Sequence, residues 1–389
     1  MGIHIEITDR LKKLPPYLFV EIDSKKKKKI EEGRDIIDLG VGDPDQPTPA
    51  HIINALNRAS KDPANHRYAL DSGKKELKEA IAAWYKRRFG VRLDPGDEVL
   101  PLIGSKEGIA HLPLAFINPG DVALVPNPCY PPYRSGVMFA GGEVYDMPLD
   151  EGNSFLPRLD SIDKSILKKA KILYLNYPNN PTGAVCDNRF FKEAVGFAAK
   201  NNLIILSDAA YTEMSYDGFM PPSILEVEGA KDVAVEFHSL SKTYNMTGWR
   251  IGMACGNKAV IAGLAKAKSN IDSGIFTAIQ IAGIAALKSP DRVVDRMKKI
   301  YQERRDTLVG GLRSIGWDVT PPKATFYVWA RTLAGADSAA MAGLLLEKAD
   351  VVVTPGSGFG RYGEGYVRMA LTVPKERLEE AVKRIKKVI

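Results

Sequence analysis

Apolar residues recur along this chain in two rhythms, and their alternation predicts the architecture. Between residues 73 and 89, Leu77, Ile81, Trp84 and Tyr85 return at spacings of three and four, which predicts an amphipathic helix stopped by Gly90. Elsewhere the apolar positions come in short runs, at 36–41, 99–103, 122–125, 172–175, 203–206, 233–237 and 251–254. Runs of this length predict buried strands. Separated by helical stretches, they imply parallel crossovers and a sheet covered on both faces, the α/β class. The first run enters Gly42-Asp-Pro-Asp-Gln-Pro-Thr-Pro49, a Pro- and Gly-rich turn that no helix interior accommodates.

After about residue 270 the pattern changes. Residues 291–313 predict a charged helix, 326–330 and 366–371 predict strands, and 375–389 an amphipathic closing helix. This predicts a smaller α+β domain joined by the N-terminal segment. The expected division is 1–45 as arm and part of the small domain, 46–275 as the large domain, and 276–389 as the small C-terminal domain. No internal repeat or low-complexity tail appears.

Composition narrows the class. The chain has 389 residues, 45% hydrophobic and 26% charged, an ordinary globular balance. No apolar run reaches the ~20 residues of a membrane span, and the first residues lack the basic start and apolar stretch of a signal peptide. Cys129, Cys186 and Cys255 are sparse, odd in number and without metal-type spacing, which points to a reducing cytoplasm. The net charge is +7, but the lysine run at 25–29 is bracketed by Glu21, Asp23, Glu31 and Glu32. It reads as a solvated helix face, without the aromatic-interleaved basic stripe of a nucleic-acid binder. The expectation is no nucleic acid, no membrane and no metal; the charge excess suits anionic substrates.

The most informative stretch is Ser239-Leu-Ser-Lys-Thr-Tyr-Asn-Met-Thr-Gly-Trp-Arg250-Ile-Gly252. A lysine amine forms a Schiff base with an aldehyde. Ser239, Ser241 and Arg250 supply the hydroxyl donors and cationic fork that a phosphate needs. Together they point to Lys242 tethered to pyridoxal phosphate, against the alternative of a solvated surface lysine. The run 203–206 ends in Ser-Asp208-Ala-Ala-Tyr211. An acid at the C-terminal end of a buried parallel strand faces the crevice where α/β ligands bind. Asp208 either holds a pyridinium nitrogen or caps the next helix, and Tyr211 is placed to bond a ring oxygen. Asn180, in Asn-Asn180-Pro-Thr-Gly183, is either a ring-oxygen donor or part of a surface turn. Gly104-Ser-Lys-Glu-Gly108 joins a strand to a helix and aims N–H groups at an anion, with Ser105 and Lys106 as the cradle. It is not a Walker loop, and no Gly-x-Gly-x-x-Gly follows the first strand.

Gly104, Asn180, Asp208, Ser239, Lys242 and Arg250 follow in one order. With Asn-Pro-Thr-Gly and Ser-x-Ser-Lys-x7-Arg-x-Gly, the chain resembles the class I/II aminotransferases, fold-type I pyridoxal-phosphate enzymes, over nearly its whole length, from Tyr17 to Arg368. The resemblance implies a large domain with a mostly parallel seven-stranded sheet covered by helices, plus a smaller α+β domain. It implies Lys242 as the cofactor attachment point and proton shuttle, its amine acidified by nearby cations. Asp208 then partners the pyridine nitrogen, Asn180 and Tyr211 the ring oxygen, and Tyr130 stacks on the ring. Arg368, in Tyr366-Val-Arg-Met-Ala370, is implied as the clamp on the substrate α-carboxylate, with Gly42 beside it. Tyr68 is implied to reach the phosphate of the other subunit of a homodimer with shared sites. Amino-acid and keto-acid substrates, exchanged by ping-pong transfer, follow from the same resemblance.

The stretch Leu14-Pro-Pro-Tyr17-Leu-Phe-Val-Glu-Ile22 resembles that of LL-diaminopimelate aminotransferases, in which Tyr17 would cover the substrate; packing of an apolar arm is the alternative. Diaminopimelate carries a distal ammonium that needs a fixed anion, and Asp71, three residues past Tyr68, is the candidate, with Asn270 a polar partner nearby. The expected reaction converts LL-2,6-diaminopimelate and 2-oxoglutarate to tetrahydrodipicolinate and glutamate, a step of lysine biosynthesis. An aspartate, alanine or aromatic aminotransferase, a β-lyase and a pyridoxal-phosphate-binding regulator are the competing readings.

Overall fold

Strands and helices fall where the two rhythms place them. The computed structural model describes residues 3–14, 18–69 and 71–389, with the side chains of 18–21 left aside. Tyr17 lies outside the described residues. The strands are β1 (Ile37–Asp38), β2 (Val99–Leu102), β3 (Val122–Asn127), β4 (Glu143–Pro148), β5 (Ala170–Asn176), β6 (Ile204–Asp208), β7 (Ala234–Ser239), β8 (Gly252–Gly256), β9 (Tyr327–Arg331), β10 (Val351–Val352), β11 (Thr354–Pro355) and β12 (Tyr366–Ala370).

The large sheet has seven strands in the order β2-β8-β7-β6-β5-β3-β4. The run from β7 to β4 is parallel, and β8 is antiparallel to both β2 and β7. Side chains alternate between its faces, as the pleat requires. Ile172 and Tyr174 join one core with Leu206, Val235 and Phe237, under the helix Ser105–Phe116. Leu173 and Leu175 join the other with Ile205 and Met253, under the helix Lys75–Phe89. That helix buries Leu77, Ile81, Trp84 and Tyr85, the residues whose spacing predicts it, and each such burial contributes roughly 1.5–3 kcal/mol. Gly90 ends it in a left-handed conformation (φ 71°), donating its N–H to Lys86 O.

Two features differ from the sequence reading. β4 is an edge strand with only Met147 buried, so it carries no apolar run to detect. β8 reverses because only a four-residue helix, Leu240–Thr243, lies between it and β7, too little to carry the chain back across the sheet. This reversal matters for the site. β2, β3, β5, β6 and β7 all end at one edge, and the antiparallel β8 begins there.

The smaller core is built on antiparallel β9, β11 and β12, and on the parallel pair β1 and β10. Ala370 donates its N–H to Leu39 O at 2.7 Å, which ties the N-terminal segment to β12. The helix Thr277–Leu287 is apolar around most of its circumference and packs Ala282, Ala286 and Leu287 into the core of the helix Lys75–Phe89. The cores change hands inside the helix Arg292–Ser314, past the division expected at 275: Val294 belongs to the first, Met297, Tyr301 and Leu308 to the second. Tyr211, Met214 and Tyr216, just after β6, also enter the smaller core. The two cores therefore meet beside Asp208.

Candidate active site

A cavity of about 440 Å³ opens at that meeting point, lined among others by Gly42, Ser105, Lys106, Tyr130, Asn180, Asp208, Tyr211, Ser239, Ser241, Lys242, Arg250 and Arg368. Residues spread over more than three hundred positions converge because the strand ends share one edge. β2 delivers Ser105, β3 Tyr130, β5 Asn180, β6 Asp208 and β7 Lys242. The reversal of β8 returns Arg250 to the same place.

Lys242 follows the end of β7 within one helical turn, and its Nζ donates to Gly42 O at 3.2 Å. Its amine is acidified to about 8. Burial is the leading cause; Arg250 and Arg368 push the same way and Asp43 opposes them. The cations expected from the sequence contribute, but loss of water contributes more. Gly42 is close-packed: a Cβ there would lie 2.0 Å from Tyr327 Oη.

One corner is built for an anion. Gly104 holds φ 76°, and a Cβ on it would meet Arg250 Nη2 at 2.3 Å, so only glycine lets the guanidinium lie against this turn. The helix Ser105–Phe116 starts here and aims its first N–H groups at the corner. Ser239 Oγ accepts from Ser241 N at 3.3 Å and keeps its own hydrogen to donate. Arg250 bonds Thr247 O at 2.7 Å with Nη1, leaving further donors free.

Opposite this corner sit the acid and the second arginine. Asp208 is buried, accepts from Tyr133 Oη at 2.7 Å and from Ala210 N at 3.2 Å, and is pushed up to about 6 by burial, against the pull of Tyr133 and other donors. Tyr211 Oη lies 3.1 Å from Tyr327 Oη. Arg368 is 3% exposed; Nη1 donates to Asn180 Oδ1 at 2.9 Å and Nη2 to Gly40 O at 2.8 Å. Its guanidinium stands 4.1 Å from the Tyr327 ring and 4.7 Å from the Phe359 ring. Its Nε has no partner, and among the described residues no carboxylate pairs with it. A buried cation without a counter-ion is costly unless a ligand supplies one.

Not every expected residue arrives. Tyr68 is 95% exposed, and Asp71 and Asn270 are exposed and outside the cavity of their own chain. Asn270 bonds Lys266 O within its helix end at 2.8 Å. Conversely, Tyr133, Tyr327 and Phe359 were not foreseen. Tyr133 stands in the same Pro-rich turn as Tyr130, and the repeat of tyrosine at 130 and 133 is the one local signal for it.

The sequence model of the family described as "Aminotransferase class I and II" matches residues 34–385. The chain belongs to this family. Proteins named LL-diaminopimelate aminotransferase are similar to this aminotransferase: that of Aquifex aeolicus is 57% identical over 98% of both chains, and that of Syntrophobacter fumaroxidans is also 57% identical over 98% of both. Among solved structures, substrate-bound BacF from Bacillus subtilis superposes with a TM-score of 0.95 at 43% identity, covering 98% of each chain. The aminotransferase thus shares its family's fold and its dependence on pyridoxal phosphate.

Proposed function

We propose that the chain transfers an amino group between LL-2,6-diaminopimelate and 2-oxoglutarate, at a site whose residues divide the work as follows. The observation that carries the reading is the pairing of an acidified, buried amine at Lys242 with an unpaired buried guanidinium at Arg368, in a chain more than half identical to enzymes of that name. That identity favours diaminopimelate over aspartate, alanine or aromatic substrates. A β-lyase or a regulator finds no supporting feature.

The residues fit pyridoxal phosphate. The corner of Ser105, Lys106, Ser239, Ser241 and Arg250, closed against Gly104, suits its phosphate; Asp208 suits its pyridine nitrogen; Asn180 and Tyr211 suit its ring oxygen; Tyr130 lies on the wall beside the ring site. When bound to Lys242, the cofactor supplies an electrophilic carbon for the substrate amine and a ring that stores the electrons of the broken Cα–H bond. The chain does the rest. Arg368 binds the α-carboxylate and Gly42 keeps the backbone close to it. Asn180 must present Nδ2 to the cavity, because Oδ1 is taken by Arg368. Lys242 Nζ, neutral above pH about 8, takes the α-proton and returns it to the neighbouring carbon. The buried Asp208 carboxylate holds a proton on the ring nitrogen.

Tyr68 and Asp71 act, in this reading, on a second copy of the chain. Val41, Ile271 and Phe276 are exposed large apolar residues that a homodimer contact would cover. Tyr68 then reaches the partner's phosphate site, and Asp71 receives the distal ammonium, with Asn270 beside it. Tyr17 remains the candidate cover. Cys129, Cys186 and Cys255 are buried free thiols, which supports a cytoplasmic setting, and among the described residues no helix is long and apolar enough to cross a membrane.

The test is an absorbance spectrum of the cofactor-loaded protein with LL-diaminopimelate, aspartate and glutamate added separately. The expected result is conversion of the aldehyde band to the amine band at the lowest concentration with diaminopimelate. Conversion by aspartate alone would replace the substrate, and no conversion by any amino acid would overturn the transfer reading.

A further inference from the structure

The helix Arg292–Ser314 turns Met297, Tyr301 and Leu308 into the smaller core, and Arg304 stands in the same stripe, at the same spacings of three and four. A cation that its helix carries into a core needs a partner there. Arg304 is 5% exposed, and its partner is Asp45, in the turn that follows Gly42. Nη1 donates to Asp45 Oδ1 at 2.6 Å and Nη2 to Oδ2 at 2.7 Å, a fork on both carboxylate oxygens. Burial pushes the Asp45 carboxyl up, but Arg304 outweighs it and the group is held below its ordinary value. The next residue, Arg305, turns instead to the exposed acids Asp217 and Asp306.

The same guanidinium has a second hold. Nη1 also donates to Leu371 O at 3.1 Å, just past the end of β12. Leu371 lies three residues after Arg368, and Asp45 three residues after Gly42. One side chain thus grips both segments that bring the carboxylate contacts to the cavity. Up to Val41 those segments run side by side: Ala370 N bonds Leu39 O at 2.7 Å, Arg368 Nη2 bonds Gly40 O at 2.8 Å and Thr372 Oγ1 bonds Val41 O at 2.7 Å. Beyond Val41 the turn departs toward Lys242, whose Nζ bonds Gly42 O, and Arg304 holds its far side. Pro44 stiffens the backbone between Gly42 and Asp45. Gly42 has no slack, because Tyr327 Oη fills the space where a Cβ would stand. Tyr301 joins the clamp to the site: its Oη lies 3.5 Å from Asp45 Oδ1 and its ring 5.5 Å from that of Phe326, over which Lys242 Nζ stands at 5.5 Å.

We propose that Arg304 is a positioning residue for the substrate carboxylate: by gripping Asp45 and Leu371 O together, it sets the separation of Gly42 and Arg368, and so the place where the carboxylate is held beside Lys242. This rests on the reading of Arg368 and Gly42 as the carboxylate contacts. Arg304 does not line the cavity. It acts through two short backbone segments, Gly42 to Asp45 and Arg368 to Leu371. Loss of the fork leaves Asp45 without its cation and lets the turn swing toward solvent, so the loss falls on carboxylate binding. The phosphate corner of Ser105, Ser239, Ser241 and Arg250 lies on other elements and stays in place.

The probe is glutarate, the dicarboxylate skeleton of glutamate, so the result does not depend on which amino acid is the donor. Its binding to the cofactor-loaded protein is measured by calorimetry in Arg304→Gln, Asp45→Asn and the double variant. Each single substitution is expected to raise Kd about tenfold. The double variant is expected to raise it no further than the more affected single, because both remove one contact. Uptake of pyridoxal phosphate by the same cofactor-free proteins is expected to stay within about twofold of the wild type. In steady-state kinetics KM should rise by more than kcat falls. Arg304→Lys keeps a cation for Asp45, and the fold with it, but cannot span Asp45 and Leu371 O; it supplies the same measurement where the other variants do not fold, with an expected rise in Kd of about threefold or more. Unchanged glutarate binding in the folded variants would overturn the proposal. A parallel loss of cofactor uptake, the mark of a general structural role, would overturn it as well. Arg368→Gln is the control: glutarate binding as tight as in the wild type would remove the carboxylate reading and the proposal with it, whereas a weakened control beside unchanged Arg304 variants would overturn the proposal alone.

Discussion

Arg368 donates from Nη1 to Asn180 Oδ1 at 2.9 Å, and this one bond orients both side chains toward the cavity. It decides which way the Asn180 amide faces, since a guanidinium has only hydrogens to give. It also ties the small core to the large one, because Arg368 stands in β12 and Asn180 in the turn after β5.

Replacing Arg368 should therefore affect more than substrate affinity. Arg368→Gln is expected to lower kcat/KM for diaminopimelate by about 10²- to 10³-fold, a loss of roughly 3–4 kcal/mol from a buried charged contact. Arg368→Lys should recover little of this, because a point charge cannot replace the planar fork. Steady-state kinetics of both variants, with 2-oxoglutarate fixed, checks the prediction.

Lys242 carries a pH signature. Its amine is acidified to about 8 from 10.5, and only the neutral amine attacks an aldehyde. The rate at which cofactor-free protein takes up pyridoxal phosphate should rise with pH through about 8 and then level. Lys242→Ala should bind the cofactor without the covalent absorbance band and lose activity by roughly 10⁴-fold or more.

Asp208 makes the cofactor-free protein sensitive to pH in the opposite direction from a surface carboxylate. Its folded value is raised to about 6 from 3.8. Its contribution to stability is thus fully present below pH about 4 and lost as pH rises through about 6. Urea denaturation of the wild type minus that of Asp208→Asn should show this loss, on the order of 2–3 kcal/mol between those limits. A flat difference would mean that Asp208 is better solvated than its burial implies.

Gly42→Ala places a methyl group 2.0 Å from Tyr327 Oη, and Tyr327 in turn meets the hydroxyl of Tyr211. The ring must move, at a cost of about 1–3 kcal/mol. A lower melting temperature together with a raised KM is the expected pair of results.

The proposed sharing of sites between two copies of the chain is open to a complementation test. Tyr68→Ala and Lys242→Ala should each be nearly inactive alone. Mixed under conditions that exchange subunits, they should regain activity, because one site of the hybrid has both residues intact. Asp71→Asn should reduce turnover of diaminopimelate much more than that of glutamate, measured side by side.

Much of this was legible along the chain. The helix Lys75–Phe89 buries the four residues whose spacing predicts it, and Ser239, Ser241, Lys242 and Arg250 of the lysine motif line one cavity. Lys242, Asp208, Asn180 and Arg250, which line one cavity, could be singled out because each is a residue type in a short, constrained stretch. Contacts made across the sheet left no such trace. Tyr133 reaches Asp208 across 75 positions, and Tyr211 meets Tyr327 across 116. The edge strand β4 was silent because an edge buries few side chains.

Periodicity and short-range chemistry, read from the sequence by themselves, determined the α/β class, the order of the elements and the lysine-centred constellation. Both are properties of neighbours, and neighbours are what a sequence records. The tertiary structure alone decided the direction of β8, which returns Arg250 to the edge where Lys242 stands. It alone decided the burial that brings the amine of Lys242 down to about 8 and the carboxyl of Asp208 up to about 6. The physical reason is common to both. Strand direction and desolvation depend on what distant segments pack together, and that is settled only when the chain has closed on itself.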